Sequence, residues 1–169
     1  MKTKILDCTL RDGGYYTNWD FSSDVVKTYI ETTNKLPVDY LEVGYRNKPT
    51  KEYMGKFGYT PVSILKKLRK SSNKKLAVML NEKSTLPEDL DELLTPIKGL
   101  ADMVRLAVDP KNFERAVVLA KAVKAMGFEV AFNTMYMSTW STEYKGFLDN
   151  LSEINGVADL FCMVDSFGG

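Results

Sequence analysis

Arg11 and Asp12 set a cation and an anion side by side in the stretch Ile5-Leu6-Asp7-Cys8-Thr9-Leu10-Arg11-Asp12-Gly13-Gly14. Ile5, Leu6, Cys8 and Leu10 read as a short buried strand, Ile5 to Leu10, which delivers both charges at its carboxyl end. Gly13 and Gly14 can take positive φ there and keep the backbone thin, so that a ligand or metal can come close. The plainer alternative is a strand that ends in a surface turn with a local ion pair. Further along, Glu42, Asn81, Asn133 and Asp165 stand at the ends of other apolar runs, and Arg105 stands within one. The chain has no histidine, which removes the commonest general base and metal ligand from any chemistry considered for it.

The elements that would hold these residues alternate between strand and helix. After the first strand, Ser22 or Ser23 can cap a helix through Asn34 with Val25, Tyr29 and Ile30 on one face, and Pro37 ends it. Residues 39–45 read as a second strand with Glu42 near its end. Thr60-Pro61 announces a helix that carries Val62, Leu65 and Leu68 inward. Residues 75–80 form the third strand, and Leu86-Pro87-Glu88-Asp89 opens a short helix with acids in its first turn, as the helix dipole favours. Residues 103–108 form the fourth strand. Asp109-Pro110 starts a helix to Met126, with Phe113, Ala116, Val117, Ala120 and Val123 at helical spacing and Gly127 beyond its end. Residues 128–133 make the fifth strand, a helix over 142–154 buries Phe147, Leu148 and Leu151, and residues 159–164 make the sixth.

Strand centres roughly 25 to 37 residues apart leave room for one right-handed βαβ crossover each, so the sheet is expected to be parallel. An open doubly wound sheet and a (β/α)8 barrel both place ligands at the carboxyl ends of their strands. Arg-Asp-Gly-Gly does not supply the G-x-G-x-x-G turn of a dinucleotide fold, which favours the barrel. Composition agrees with an ordinary globular domain: of 169 residues, 44% are apolar and 27% charged. With 23 basic and 22 acidic residues the formal charge is +1, and no global field draws nucleic acid or an anionic membrane. Cys8 and Cys162 both lie in apolar runs and are expected to be reduced packing residues. The Met1-Lys2-Thr3-Lys4 start leads into too short an apolar run for a signal peptide, and no stretch approaches a membrane span, so a cytoplasmic protein is expected.

The segment Asp7-Cys8-Thr9-Leu10-Arg11-Asp12-Gly13 resembles the first-strand motif of the DRE-TIM metallolyases, the group that includes 3-hydroxy-3-methylglutaryl-CoA lyase, 4-hydroxy-2-oxovalerate aldolase and 2-isopropylmalate synthase. The resemblance continues through Leu41-Glu42-Val43-Gly44, Val104-Arg105-Leu106-Ala107 and Val164-Asp165-Ser166, and so runs the length of the chain. It implies a TIM-type barrel and carbon–carbon bond cleavage or formation next to a ketone or acyl group, through an enolate stabilised by a divalent metal and an arginine. By this resemblance Asp12 is a ligand of Mg2+ or Mn2+ and Arg11 the enolate-facing cation. Glu42 orients Arg11 or bound water, Asp165 handles substrate or a proton, and Arg105 and Asn133 contact the substrate, a small 2-oxo acid or acyl compound. Glu42 paired with Arg46 or Lys48, and Asp165 as a loop cap, are the structural alternatives.

Two departures stand out. The family completes its metal site with His-x-His on a seventh strand, and this sequence has neither; a barrel of about 250 residues needs roughly two more βα units. The chain is therefore expected to be an incomplete α/β barrel of about six units, lacking the seventh and eighth strands, inactive and weak in metal binding by itself, and self-associating through its open edge. Tyr15 stands where the aldolases resemble one another in a catalytic histidine, and with an ordinary pKa of about 10 it is a poor base. Lys66, Lys67, Arg69, Lys70, Lys74 and Lys75 read as a solvated face rather than a phosphate or RNA patch. Tyr136, Trp140 and Tyr144 either line a substrate mouth or cover the helix that follows. A non-catalytic module that binds a small acid or a protein partner is the rival to the lyase.

Overall fold

The structure, a computed structural model, describes residues 3–168; Met1, Lys2 and Gly169, the ends of segments considered above, lie outside the described residues. Six strands form one all-parallel sheet in sequential order: β1 (Leu6–Asp7), β2 (Tyr40–Tyr45), β3 (Lys75–Asn81), β4 (Met103–Val108), β5 (Glu129–Thr134) and β6 (Leu160–Met163). The sheet curls into an incomplete α/β barrel of TIM type. Among the described residues nine α-helices, with short 3-10 turns between some of them, join the strands: α1 (Thr9–Asp12), α2 (Gly14–Thr17), α3 (Ser23–Thr33), α4 (Lys56–Tyr59), α5 (Val62–Ser71), α6 (Leu90–Leu94), α7 (Phe113–Ala125), α8 (Trp140–Glu143) and α9 (Lys145–Asp149). Among the described residues no helix is long and apolar enough to cross a membrane.

Strand side chains alternate between two environments, as the period of two demands. Leu41, Val43, Leu76, Val78, Leu80, Val104, Leu106, Val130 and Phe132 face the helices and form the large core with Leu65, Leu68, Phe113, Ala116, Val117, Ala120 and Val123. Tyr40, Ala77, Met103 and Ala131, with Leu6 and Leu160 beside them, make a smaller cluster on the concave face. The helix over Phe113–Ala125 buries the five residues its spacing predicts. In α3 the Ser22 hydroxyl accepts from Val25 N at 3.3 Å, but Val25 itself is exposed and Val26 packs inward with Tyr29 and Ile30.

Several expected boundaries are corrected. The first strand stops at Asp7 rather than Leu10. Asp7 Oδ1 accepts from Thr9 N at 3.0 Å and from Tyr29 Oη at 2.6 Å, while Cys8 O accepts from Arg11 N at 3.0 Å and Asp12 N at 2.8 Å. These local bonds turn the chain into one helical turn, so Arg11 and Asp12 ride on α1 and not on a strand. Neither Gly13 nor Gly14 takes positive φ; the left-handed residues nearby are Asn18 and Trp19. Pro61 occupies the N-cap position of α5 instead of its first turn. The helix expected over 142–154 breaks into α8, α9 and a 3-10 turn, Leu151–Ile154, with Gly146 inside it and Leu148 left exposed.

The basic cluster is not a uniform patch: Arg69 pairs with Asp102 at 2.7 Å, Lys74 Nζ donates to Leu36 O at 2.8 Å, and Lys75 pairs with Glu129. Trp140 is buried against Phe147 and Phe161, which favours the covering role over a substrate mouth. Both cysteines are free.

Among the described residues β1 and β6 each pair on one side only, and Met163 at the β6 edge is 65% exposed. Unpaired apolar edges seek partners. We expect the 169-residue chain to self-associate at tens of micromolar, and Met163→Lys to weaken the association. Light scattering behind a sizing column reads the outcome, and a clean monomer would show that the chain covers its own edges.

Candidate functional site

Glu42 is the third of the six residues of β2, mid-strand rather than near the end where the sequence suggests it, with no solvent exposure (0%). Two guanidinium groups hold its carboxylate: Arg11 Nε donates to Oε1 and Arg105 Nη1 to Oε2, each at 2.6 Å. Arg105 Nη2 donates to Asn133 Oδ1, while Arg105 Nε is buried without a partner among the described residues. The turn after β1 and strand β4 thus meet at the β2 carboxylate, and β5 joins them through Arg105. Arg46 and Lys48, the partners considered for Glu42 on sequence grounds, are engaged elsewhere: Arg46 Nε donates to Leu93 O at 2.7 Å and Lys48 pairs with Asp89 at 2.5 Å.

Arg11 is the hub of the site. Its Nη1 pairs with Asp12 Oδ1, and its guanidinium lies 5.9 Å from the centre of the Tyr45 ring. Burial pulls its pKa down, but the Glu42 charge and hydrogen bond outweigh this and raise it, so Arg11 stays charged. The Tyr45 hydroxyl is 2.8 Å from that of Tyr15. Burial, reinforced by the hydrogen bond to Tyr15, raises the Tyr45 pKa and keeps the phenol protonated, although Arg11 opposes the shift. Tyr15 is 62% exposed, so it connects this buried set to solvent.

Residues 42 and 45, three apart, would point to opposite faces of a regular strand. A register shift between them relieves this, and lets Glu42 and Tyr45 approach the same guanidinium. Gly44 makes the bend possible at close quarters, since a Cβ there would lie 2.1 Å from Phe57 O.

Asp12 is exposed, with Oδ1 on Arg11 and Oδ2 accepting from Cys8 Sγ at 2.9 Å. Burial first, and then that carboxylate, push the Cys8 thiol up to about 12, so it stays protonated. Among the described residues no group of three or more His, Cys, Asp or Glu side chains could hold a metal ion. These residues therefore do not fit a divalent site on their own: one shared carboxylate falls short of the near-octahedral oxygen ligation that Mg2+ requires. Asp165 follows β6, where its Oδ1 accepts from Phe167 N at 3.2 Å, as a loop cap would. Asn81 likewise serves its loop, accepting from Lys83 N at 3.1 Å.

The structure thus joins Arg11, Asp12, Glu42, Arg105 and Asn133 in one chain of contacts, brings in Tyr15 through Tyr45, and places Asp165 on the segment after β6. Sequence reasoning missed Tyr45, whose placement depends on the register shift, and Trp19, whose indole Nε1 donates to Arg11 O at 2.8 Å. The paired glycines were the available signal for Trp19, because they mark where something approaches the backbone.

No protein-family model and no curated protein matches the chain. Among solved structures it is 71% identical, with a TM-score of 0.96, to the "N-terminal domain of a putative aldolase from Bacteroides vulgatus"; the match covers 99% of this chain and 56% of that one. The chain therefore spans about half the length of that neighbour. The carboxyl transferase domain of Rhizobium etli pyruvate carboxylase, with pyruvate and biocytin, is 18% identical with a TM-score of 0.69 over 97% of this chain and 30% of that one. A point variant of the same domain is 16% identical with a TM-score of 0.65 over 97% and 31%. At that identity the likeness is one of fold.

Removing the Glu42 charge leaves the buried Arg105 and the partly buried Arg11 without the anion they share. Glu42→Gln should destabilise the chain by about 3 kcal/mol or more, read from urea unfolding, and a loss under about 1 kcal/mol would show that the arginines find other partners. Titration calorimetry of the 169-residue chain should find Mg2+ and Mn2+ weak or without heat. A stoichiometric micromolar site abolished by Asp12→Ala would reveal a second set of ligands around that carboxylate.

Proposed function

We propose that this chain is the amino-terminal part of a barrel lyase of the DRE-TIM type, an aldolase that breaks or makes a carbon–carbon bond next to the ketone of a small 2-oxo acid or acyl substrate. The observation that carries this reading is the arginine clamp on Glu42, which aims a permanently charged, pre-oriented guanidinium from the strand-end side of the barrel. The 71% identical neighbour named as an aldolase domain supports it.

In the cleavage direction the hydroxyl proton passes to a general base, the proton-handling role proposed for Asp165; the carbinol carbon leaves as the carbonyl of an aldehyde or ketone; and the electron pair of the broken bond to the carbon next to the ketone moves into an enolate. A proton then returns to the enolate carbon. Arg11 is the group that stabilises the enolate oxygen, and because Glu42 already holds its Nε, little reorganisation is needed as charge develops. Arg105 fixes Glu42 through Nη1 and Asn133 braces Arg105 through Nη2, and both keep the substrate-contacting role proposed for them through the donors these bonds leave over. The exposed Tyr15, backed by protonated Tyr45, suits proton donation better than abstraction. Asp165 is the carboxylate proposed for substrate or proton handling. A divalent Mg2+ or Mn2+ at Asp12 needs ligands beyond the described residues, and no step above runs through it.

The test is release of a 2-oxo acid from 4-hydroxy-2-oxo acids by the full-length protein with Mg2+ or Mn2+ supplied. Lysine keeps the charge of Arg11 but loses the planar fork. Arg11→Lys should cut kcat by about a hundredfold or more with its unfolding midpoint little changed. Near-normal turnover would remove the enolate role from Arg11, and no turnover of any such acid by the unaltered protein would remove the aldolase reading.

A further inference from the structure

The turn that carries Arg11 cannot set its own shape. It consists of two consecutive four-residue helices, α1 and α2, far below the length at which a helix holds by itself. A helix this short leaves carbonyls without in-helix partners, and Arg11 O is bonded instead by the Trp19 indole Nε1 at 2.8 Å. Trp19 N donates to Gly14 O at 3.0 Å, and Trp19 O accepts from Phe57 N at 3.1 Å, which ties the turn to α4. The indole meets the Tyr15 ring at 4.8 Å and the Tyr45 ring at 5.7 Å, both edge to face. It therefore touches, through three different contacts, the main chain of Arg11, the ring beneath its guanidinium and the tyrosine at the solvent side.

The backbone at Trp19 is itself unusual. Asn18 and Trp19 have φ of 51° and 56°, and the left-handed region is strongly disfavoured for a bulky side chain. Such a conformation persists where the surroundings over-determine it. Here the surroundings are shaped for the indole: a Cβ at Gly14 would lie 2.0 Å from indole Cδ1. The second glycine of the Arg-Asp-Gly-Gly motif is thus the seat of Trp19.

We propose that Trp19 is the positioning residue of Arg11, holding the Arg11–Asp12 turn at the height and orientation that point the guanidinium at Glu42 and the barrel mouth. The consequence for chemistry rests on the enolate reading above; the geometric claim does not.

Exchange of the Arg11 Nε proton with water, followed in protein labelled with 15N-arginine, reads the geometry directly, because that proton is sheltered on Glu42. Its signal is identified by its loss in Arg11→Lys. Trp19→Phe keeps an aromatic ring and loses the N–H donor; it should speed the exchange by about tenfold or more. Gly14→Ala displaces the indole while leaving Trp19 chemically intact, and should do the same. Circular dichroism and Trp140 fluorescence establish that each variant is folded. If Trp19→Phe does not fold, β-(3-benzothienyl)alanine in a Trp140→Phe background removes the N–H from an isosteric ring. Unchanged Arg11 exchange in the folded variants overturns the proposal. Oxalate, a planar dianion shaped like a 2-oxo acid enolate, supplies the second arm by calorimetry with Mg2+ in the buffer. Its affinity for the full-length protein should fall about tenfold or more in Trp19→Phe, on the scale of a lost oxyanion donor. Equal affinity in both proteins overturns the proposal. No binding to the unaltered protein counts against the enolate reading, and the exchange result then decides on Trp19 alone.

Discussion

A carboxylate with no access to water must be neutralised by what touches it, and Glu42 is neutralised from both sides by guanidinium groups. The cost of dehydrating three charges is offset only when the hydrogen-bond geometry is good, which makes the arrangement a constraint on everything around it. Arg105 reaches Glu42 across the intervening strand β3. It can do so because the β3 residue paired with Glu42 is Ala77, the smallest side chain of the concave cluster alongside Ala131. Asn133, on the strand beyond Arg105, braces the arginine from the other side. The polar chain thus runs laterally over the concave face from β5 to the turn after β1, perpendicular to the strands that supply it.

The opposite end of the concave face is organised differently. Tyr40 Oη donates to Glu129 Oε2 at 2.7 Å, Lys75 pairs with Glu129, and Lys4 and Lys75 lie 5.6 and 5.4 Å from the Tyr40 ring. Burial, and then the bond to Glu129, raise the Tyr40 pKa and keep it a donor. Ala77, Met103 and Ala131 form a small apolar cluster with the Tyr40 ring beside that polar group. The amino-terminal end carries ordinary partnered groups, whereas Glu42 and Arg105 sit mid-strand and Arg11, Asp12 and Asn133 lie toward or beyond the carboxyl ends, the side on which barrels place their ligands.

Much of this was legible because period and punctuation agree with the final fold. The strand cores around Leu41, Val78, Leu106 and Phe132, and the helix through Ala116 and Val123, follow from periodicity alone, and the parallel order follows from the crossover lengths. Arg11, Asp12 and Glu42 could be singled out as residues, yet their connection could not. Glu42 had nearer cations in sequence, Arg46 and Lys48, and nothing local shows that these turn to Leu93 O and Asp89. Apolar alternation continues through Leu10, yet the first strand stops at Asp7. Asp7 overrides that pattern by bonding Thr9 N, a side-chain to backbone bond that hydrophobic periodicity cannot register.

The two glycine-bearing motifs act as a pair on this account. Gly14 admits the indole that holds the Arg11 carbonyl, and Gly44 admits the Phe57 carbonyl where β2 shifts register. Phe57 is also the residue whose N–H bonds Trp19 O. The segment around α4 therefore presses on β2 with its carbonyl and holds the Trp19 loop with its amide, one residue serving both motifs. The direction of the Arg11 side chain is set jointly by Glu42 and Tyr45, which the register shift brings to one guanidinium, and its main chain is set by Trp19. An arginine fixed at both ends has little freedom left to lose when an anion arrives, and this preorganisation is the physical reason for treating it as the centre of the site.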